Sequence, residues 1–148
     1  MTVHWCRTFL LLAVPSVTLA GPVAGIGWTA ERGKAVSDAK VRHAERPSLR
    51  VESDGADARV LSAPVSLSIG KPYELSGWVR TEGVTVSDRA RVPIATGAML
   101  QMASMPFDVH STSLGSTRDW ERLSLRFIAT RAQDRILLSV GRGGAFQG

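Results

Sequence analysis

Short segments in which apolar and polar residues alternate recur along this chain, and turns containing glycine or proline separate them. Successive side chains of a β-strand point to opposite faces, so this alternation predicts strands that are buried on one face. The alternating segments are 48–52, 59–69, 73–80, 98–103, 122–127 and 136–140. Roughly seven short strands at even spacing, without the apolar spacing of a long helix, predict an all-β fold, an antiparallel β-sandwich.

The first 20 residues have the character of an export signal. Arg7 supplies a positive start, and residues 8–20 form an apolar run that is too short to cross a membrane. We predict cleavage after Ala20, with Ala24 as the second choice and an uncleaved membrane anchor as the alternative. The mature protein is then expected to be secreted or periplasmic, without a membrane attachment.

Removal of the signal leaves a chain of the size of one domain. We divide it into an N-terminal lead-in over residues 21–33 and a β-module over residues 34–148. The single cysteine of the sequence, Cys6, lies inside the predicted signal. The mature chain therefore lacks the side chain needed for disulfides, thiol catalysis or cysteine metal sites.

The chain is basic, with 18 lysines and arginines against 13 acidic residues and a formal net charge of +5. A basic domain can bind nucleic acid when its positive residues form a patch or follow one helix. The arginines that follow the predicted signal are instead scattered from residue 32 to residue 142. Together with the predicted export, this scatter favours a solvated surface, and no nucleic-acid partner is expected.

Four segments in a fixed order carry a resemblance to a known family. They are Ser-Leu-Arg-Val at 48–51, Gly-Lys-Pro-Tyr-Glu-Leu-Ser-Gly-Trp-Val-Arg at 70–80, Gly-Ala-Met-Leu at 97–100 and Asp-Trp-Glu-Arg-Leu at 119–123. In this order the chain resembles the four/nine type of carbohydrate-binding module, a galactose-binding-like jelly roll. The resemblance covers about residues 26–148 and carries more information on the fold than on the ligand.

The resemblance implies a non-catalytic module that binds a polysaccharide or glycan and serves a neighbouring hydrolase or peptidase domain in a longer chain. The family usually closes with a further strand, after a glycine, that is rich in aromatic residues and has paired acidic residues. We therefore expect the module to be incomplete before its last strand. The alternative is a structural β-sandwich spacer in a secreted hydrolase or peptidase, with no sugar binding.

Three residues are the candidates for a sugar site in such a fold. Trp78 would stack on the apolar face of a pyranose ring, while Arg80 and Gln101 would hydrogen-bond its hydroxyl groups. The alternatives are a core position for Trp78 and a solvated strand face for Arg80 and Gln101. Trp120 is expected to cap the core at an edge of the jelly roll, and Trp28 either plugs one end of the sandwich or lies in a flexible lead-in.

A structural calcium ion is a further implication of the resemblance. Glu52, Asp54 and Asp57 form a small acidic cluster around Gly55, and calcium takes several oxygen ligands from loops of this kind. The cluster alone supplies too few ligands, so a solvated turn is the alternative.

No catalytic constellation is predicted. His43 and His110 stand apart from each other, which argues against a zinc site. Ser111 adjoins His110, but neighbours on a strand point to opposite faces, which argues against a serine–histidine pair.

Overall fold

The computed structural model describes residues 4–5, 16–20, 27–43, 46–53, 57–84 and 96–142. Every regular element in these ranges is a β-strand, so the predicted all-β fold is confirmed. The strands are β1 (His4–Trp5), β2 (Ser16–Ala20), β3 (Trp28–Arg32), β4 (Lys34–His43), β5 (Arg46–Glu52), β6 (Asp57–Ser62), β7 (Val65–Ser66), β8 (Pro72–Val84), β9 (Thr96–Met102), β10 (Ser116–Ile128), β11 (Gln133–Asp134) and β12 (Ile136–Arg142). Within the described ranges, no helix is long and apolar enough to cross a membrane.

A first sheet of six strands is organised around β8, the strand that contains Trp78. On one side β8 pairs antiparallel with β10 over almost its whole length. On the other side β8 pairs with β2 near its end and with β1 near its start, and β1 runs parallel to it. β2 pairs in turn with β5, and β5 pairs with β4.

A second, antiparallel sheet has the strand order β3–β6–β12–β9. β7 and β11 form a separate two-stranded ladder. One hydrophobic cluster draws buried residues from both larger sheets. The first sheet contributes Leu49, Val51, Leu75, Val79, Val84, Leu123 and Leu125, and the second contributes Ala58, Val60, Ala98, Leu100, Met102, Ile136, Leu138 and Val140. Burial of apolar side chains between the two sheets is the main source of stability in such a fold.

The strands differ from the sequence-based expectation in several places, and one of them is β4, which falls in none of the alternating segments. The segment expected to alternate over 59–69 divides at Ala63 and Pro64 into β6 and β7, because proline has no N–H to donate to a ladder. The expected lead-in contains β3, which pairs antiparallel with β6. The polar residues 83–96 between the predicted strands 73–80 and 98–103 fall largely outside the described ranges, since only Gly83, Val84 and Thr96 are described.

Candidate functional site

The side chains of β8 divide into a buried row and a row on the opposite face. Leu75, Val79 and Thr81 are buried. Trp78 and Arg80 have the other parity and are half-buried. The partner strand β10 continues this outer face, because Arg122 is paired with Trp78 in the antiparallel register. Alternation along two paired strands thus builds one continuous surface on the first sheet.

Three rings meet on this surface, and we call them the aromatic cluster: His43, Trp78 and Trp120. The His43 ring stacks on Trp78 with a centroid distance of 5.4 Å and an interplanar angle of 20°. Trp120 meets the same imidazole edge-on, at 5.6 Å and 73°. All three side chains are half-buried. The stacked and edge-on pairs form a corner of aromatic surface, in the two geometries that ring quadrupoles favour.

The aromatic cluster is assembled from distant parts of the chain. His43 is the last residue of β4, which lies at the far edge of the first sheet. Trp120 belongs to β10, where the register with β8 shifts between Arg118 and Glu121. A bulge of this kind re-aims the side chains next to it.

A charged network adjoins the aromatic cluster, and we call it the arginine–glutamate network: Glu74, Ser76, Arg122 and Arg126. Arg126 Nε donates to Glu74 Oε2 at 3.0 Å, and Arg122 Nη2 donates to Ser76 Oγ at 3.0 Å. Arg122 Nη2 also lies 3.4 Å from Glu74 Oε1. The Glu74 side chain is only 17% exposed, whereas those of Arg122 and Arg126 are 50% and 83% exposed. The carboxylate thus orients two guanidinium groups that still face solvent.

Arg80 lies on the same face beyond Trp78, with a side chain that is 35% exposed. Its Nε is 3.8 Å from Asp119 Oδ1, and the Asp119 side chain is 87% exposed. An ion pair this long and this exposed contributes little to stability. The guanidinium of Arg80 is therefore available for hydrogen bonds at the margin of the aromatic cluster.

An open groove marks the other end of the β8–β10 pair. The side chains of Tyr73 and Phe127 stack in it at 5.7 Å. The hydroxyl of Tyr73 accepts a hydrogen bond from the backbone N–H of Ser68 at 2.7 Å, which fixes that ring. The groove is lined by Pro72, Tyr73, Glu74, Arg126, Phe127 and Ile128. Glu74 and Arg126 also belong to the arginine–glutamate network on the outer face, whereas Tyr73 and Phe127 share the parity of the buried Leu75 and Leu125, and Phe127 packs against the core.

The structure does not bring Gln101 to this surface. Gln101 lies in β9 of the second sheet and is 1% exposed. Its amide nitrogen donates to the backbone oxygen of Pro106 at 2.7 Å, and its amide oxygen accepts from Ser139 Oγ at 2.6 Å. Both ends of the side chain are thus used inside the protein, and a sugar cannot reach them. Of the three residues selected from the sequence, the structure places Trp78 and Arg80 together and Gln101 elsewhere.

The two described residues of the acidic cluster around Gly55 are engaged by arginines. Asp57 pairs with Arg32 at 3.1 Å, and Glu52 pairs with Arg50 at 2.9 Å. Asp54 lies outside the described ranges. In the part of the chain that the structure describes, no group of three or more histidine, cysteine or acidic side chains is arranged to hold a metal ion.

The side chains of His110 and Ser111 bond to backbone groups. Ser111 Oγ accepts from the N–H of Leu100 at 3.0 Å and donates to the carbonyl of Thr112 at 2.7 Å. His110 Nδ1 lies 2.9 Å from the carbonyl oxygen of Ser111. The hydroxyl thus joins the loop after β9 to β9 itself.

Comparisons of the chain with protein-family models, with curated proteins and with solved structures give no match.

Proposed function

We propose that this chain is a non-catalytic carbohydrate-binding module of β-sandwich, jelly-roll type, and that it belongs to an exported protein. The observation that carries the proposal is the aromatic cluster beside the arginine–glutamate network, on one outer face of the first sheet. Sugar recognition needs these two kinds of group in one place. Rings pack against the C–H face of a pyranose, and charged or polar groups bond its hydroxyls.

The main ring surface in the proposed complex is that of Trp78, beside Trp120, which also packs against the apolar core. The His43 ring lies nearly parallel to Trp78 and nearly perpendicular to Trp120, so it contacts both indole rings. A pyranose ring that enters the corner removes apolar indole surface from water, which is the favourable term.

The hydroxyl-bonding groups in the proposed complex are the guanidiniums of Arg80, Arg122 and Arg126. A guanidinium has five N–H donors in a planar fork, which suits pairs of vicinal oxygens. Glu74 already holds Arg122 and Arg126 in position, so less side-chain entropy is lost on binding.

The length of the surface favours a polymer over a single sugar. Trp78 and Glu74 are four residues apart on one strand, a distance of about 13 Å. Pro72 and Ile128 have the parity of Glu74 and Arg126, so they extend the outer face to the start of β8 and the end of β10. A polysaccharide or glycan chain lying along β8 and β10 would contact the aromatic cluster at one end and Pro72 and Ile128 at the other.

The role of such a module follows from tethering. Binding to a polymer holds a neighbouring catalytic domain of a longer chain close to its substrate, which raises the effective concentration of that substrate. The predicted export signal supports this role for a secreted or periplasmic protein.

Calorimetric titration of the full chain against a panel of soluble neutral and acidic polysaccharides tests the proposal. We expect saturable binding to at least one polymer and a loss of about tenfold in affinity for Trp78→Ala. The matched control is Trp28→Phe, because Trp28 lies in β3 of the second sheet. No binding to any polymer, or equal losses in both variants, contradicts the proposal.

A second candidate function is a structural spacer in a secreted hydrolase or peptidase. One observation favours it: the three rings of the aromatic cluster are half-buried and contact one another. In that case the cluster serves to fasten the end of β4 to β8 and β10. If the chain is a spacer, Trp78→Ala should lower the melting temperature strongly without changing any polysaccharide affinity. If the chain is a binding module, the same variant should lose polysaccharide affinity.

A further inference from the structure

The strand β2 occupies a central position in the first sheet. It pairs antiparallel with β5 from Ser16 opposite Glu52 to Ala20 opposite Ser48. On its other edge it pairs antiparallel with β8 from Ser16 opposite Glu82 to Leu19 opposite Val79. Neither ladder contains a register shift, so this short strand is joined to both neighbours along its length.

β2 joins β5 to β8 in the first sheet. Neighbouring strands of a sheet lie about 4.8 Å apart, so β5 and β8 are separated by roughly twice that distance. Backbone groups of β5 and β8 cannot hydrogen-bond across such a gap. An empty slot would leave two rows of N–H and C=O groups unpaired in the middle of the sheet, each at a cost when shielded from water.

The residues on both sides of the slot belong to the core. Val51, Val79 and Thr81 are 0% exposed, and Leu49 is 5% exposed. The register matches these residues with apolar residues of β2. Val17 is opposite Val51 and Thr81, and Leu19 is opposite Leu49 and Val79. The slot therefore selects an extended segment with apolar residues at alternate positions, rich in the residue types that favour strands.

The five residues of β2 are also the last five before the predicted cleavage position after Ala20. We propose that the gap between β5 and β8 is a strand-acceptor slot and that its occupant is the segment Ser16–Ala20 of this chain. Export cleavage and completion of the first sheet then compete for the same residues. A chain cut after Ala20 either keeps the signal piece bound as a non-covalent strand or exposes an open slot.

Hydrogen exchange of the full chain tests the occupancy without any substitution. We expect the amides of Ser16–Ala20 to be protected as strongly as those of β5 and β8, and more strongly than those of the edge strand β4. Exchange of the Ser16–Ala20 amides at the rate of an unstructured peptide overturns the inference.

A proline substitution tests whether the strand stabilises the protein. Thr18→Pro in the full chain removes a ladder N–H from a central strand, and we expect the melting temperature to fall by about 10 °C. The matched control, Thr18→Val, keeps the N–H and the strand propensity, so its melting temperature should change little. Equal melting temperatures for Thr18→Pro and Thr18→Val count against the slot.

Cleavage of the folded chain tests whether the slot holds a separate strand. A site for a specific protease is inserted between Ala20 and Gly21, and the cut protein is analysed by native mass spectrometry. We expect the piece containing residues 1–20 to remain bound, and a synthetic peptide of residues 14–22 to replace it, whereas the same peptide with Thr18→Pro does not.

Two results of the cleavage experiment overturn the inference. One is release of the piece with an unchanged melting temperature, and the other is release with dimerisation of residues 21–148, which would make a second copy the occupant. None of these measurements uses a sugar, so the slot and the proposed carbohydrate binding can fail independently.

Discussion

Thr81 places a hydroxyl group among apolar side chains on the inner face of β8. It shares the inner face of β8 with Leu75 and Val79, and it is 0% exposed. Its hydroxyl has no hydrogen-bond partner among the described residues. A buried hydroxyl without a partner costs free energy, because it loses its bonds to water and gains none in the protein.

We predict that Thr81→Val raises the free energy of unfolding by about 1 kcal/mol, since valine has the same shape and no hydroxyl. The matched control is Ser62→Ala. Ser62 is also 0% exposed, but its hydroxyl accepts from the N–H of Ile136 and donates to the carbonyl of Ala63. Urea denaturation should therefore show stabilisation for Thr81→Val and destabilisation for Ser62→Ala. A destabilised Thr81→Val would indicate that the hydroxyl has a partner in solution.

Gln101 shows the limit of alternation as a guide to exposed residues. Met99, Leu100, Gln101 and Met102 are consecutive and all buried, so both faces of β9 are covered. A strand that is buried on both faces has no exposed side. Because glutamine is usually exposed, a sequence-based interpretation places a glutamine of such a strand on the surface. Gln101 bonds to Pro106 and Ser139 and lies in the second sheet, whereas the aromatic cluster lies on the first. Alternation along one strand does not encode which sheet that strand joins.

We predict that Gln101→Ala lowers the free energy of unfolding by about 2 kcal/mol, because Ser139 and the carbonyl of Pro106 lose their partner in the interior. Polysaccharide affinity should stay unchanged. Denaturation and titration of the same variant check the two statements. A loss of polysaccharide affinity with unchanged stability would contradict both statements and indicate that Gln101 contacts the sugar.

At the scale of the elements, Gly33 allows the turn from β3 into β4. Its φ angle is +75°, a conformation that side chains other than hydrogen disfavour. A β-carbon there would collide with the carbonyl oxygen of Glu52 and would lie 2.9 Å from the β-carbon of Ala58. The turn therefore packs directly on the backbone at the end of β5.

We predict that Gly33→Ala destabilises the protein by about 3 kcal/mol, since backbone strain and steric overlap add. Gly70→Ala is the matched control, because Gly70 has a φ of +77° but open space around its α-carbon. It should cost only about 1 kcal/mol, the strain alone. Thermal or urea unfolding of the two variants measures the difference, and equal costs would contradict the close packing at Gly33.

The elements that the sequence predicted well are those with one buried and one exposed face. β10 alternates between Leu123 or Leu125 inside and Arg122 or Arg126 outside, and its faces over 122–127 follow from that pattern, although the strand begins earlier, at Ser116. β4 has mostly exposed residues in an irregular order, so its strand character and the position of His43 could not be predicted. The contact of His43 with Trp78 joins residues that are distant in sequence, and no local pattern signals it.

At the scale of the whole molecule, the two sheets have different tasks in the proposed function. Both contribute to one apolar core, but the aromatic cluster and the arginine–glutamate network lie on the first sheet. The all-β fold could be predicted from alternation, and so could Trp78 and Arg80 as outer residues of one strand. The contributions of His43, Glu74, Trp120 and Arg122 could not, because they depend on which strands are neighbours.

A fluorescence titration of the full chain with Trp5→Phe and Trp28→Phe reports on the aromatic cluster alone, since Trp78 and Trp120 are then the remaining indoles. With a bound polysaccharide we expect a saturable shift in emission, protection from acrylamide quenching, and loss of both effects in Trp78→Ala with the melting temperature preserved. A blue-shifted, quencher-resistant emission that no polymer changes would contradict carbohydrate binding and place the two indoles in structural packing.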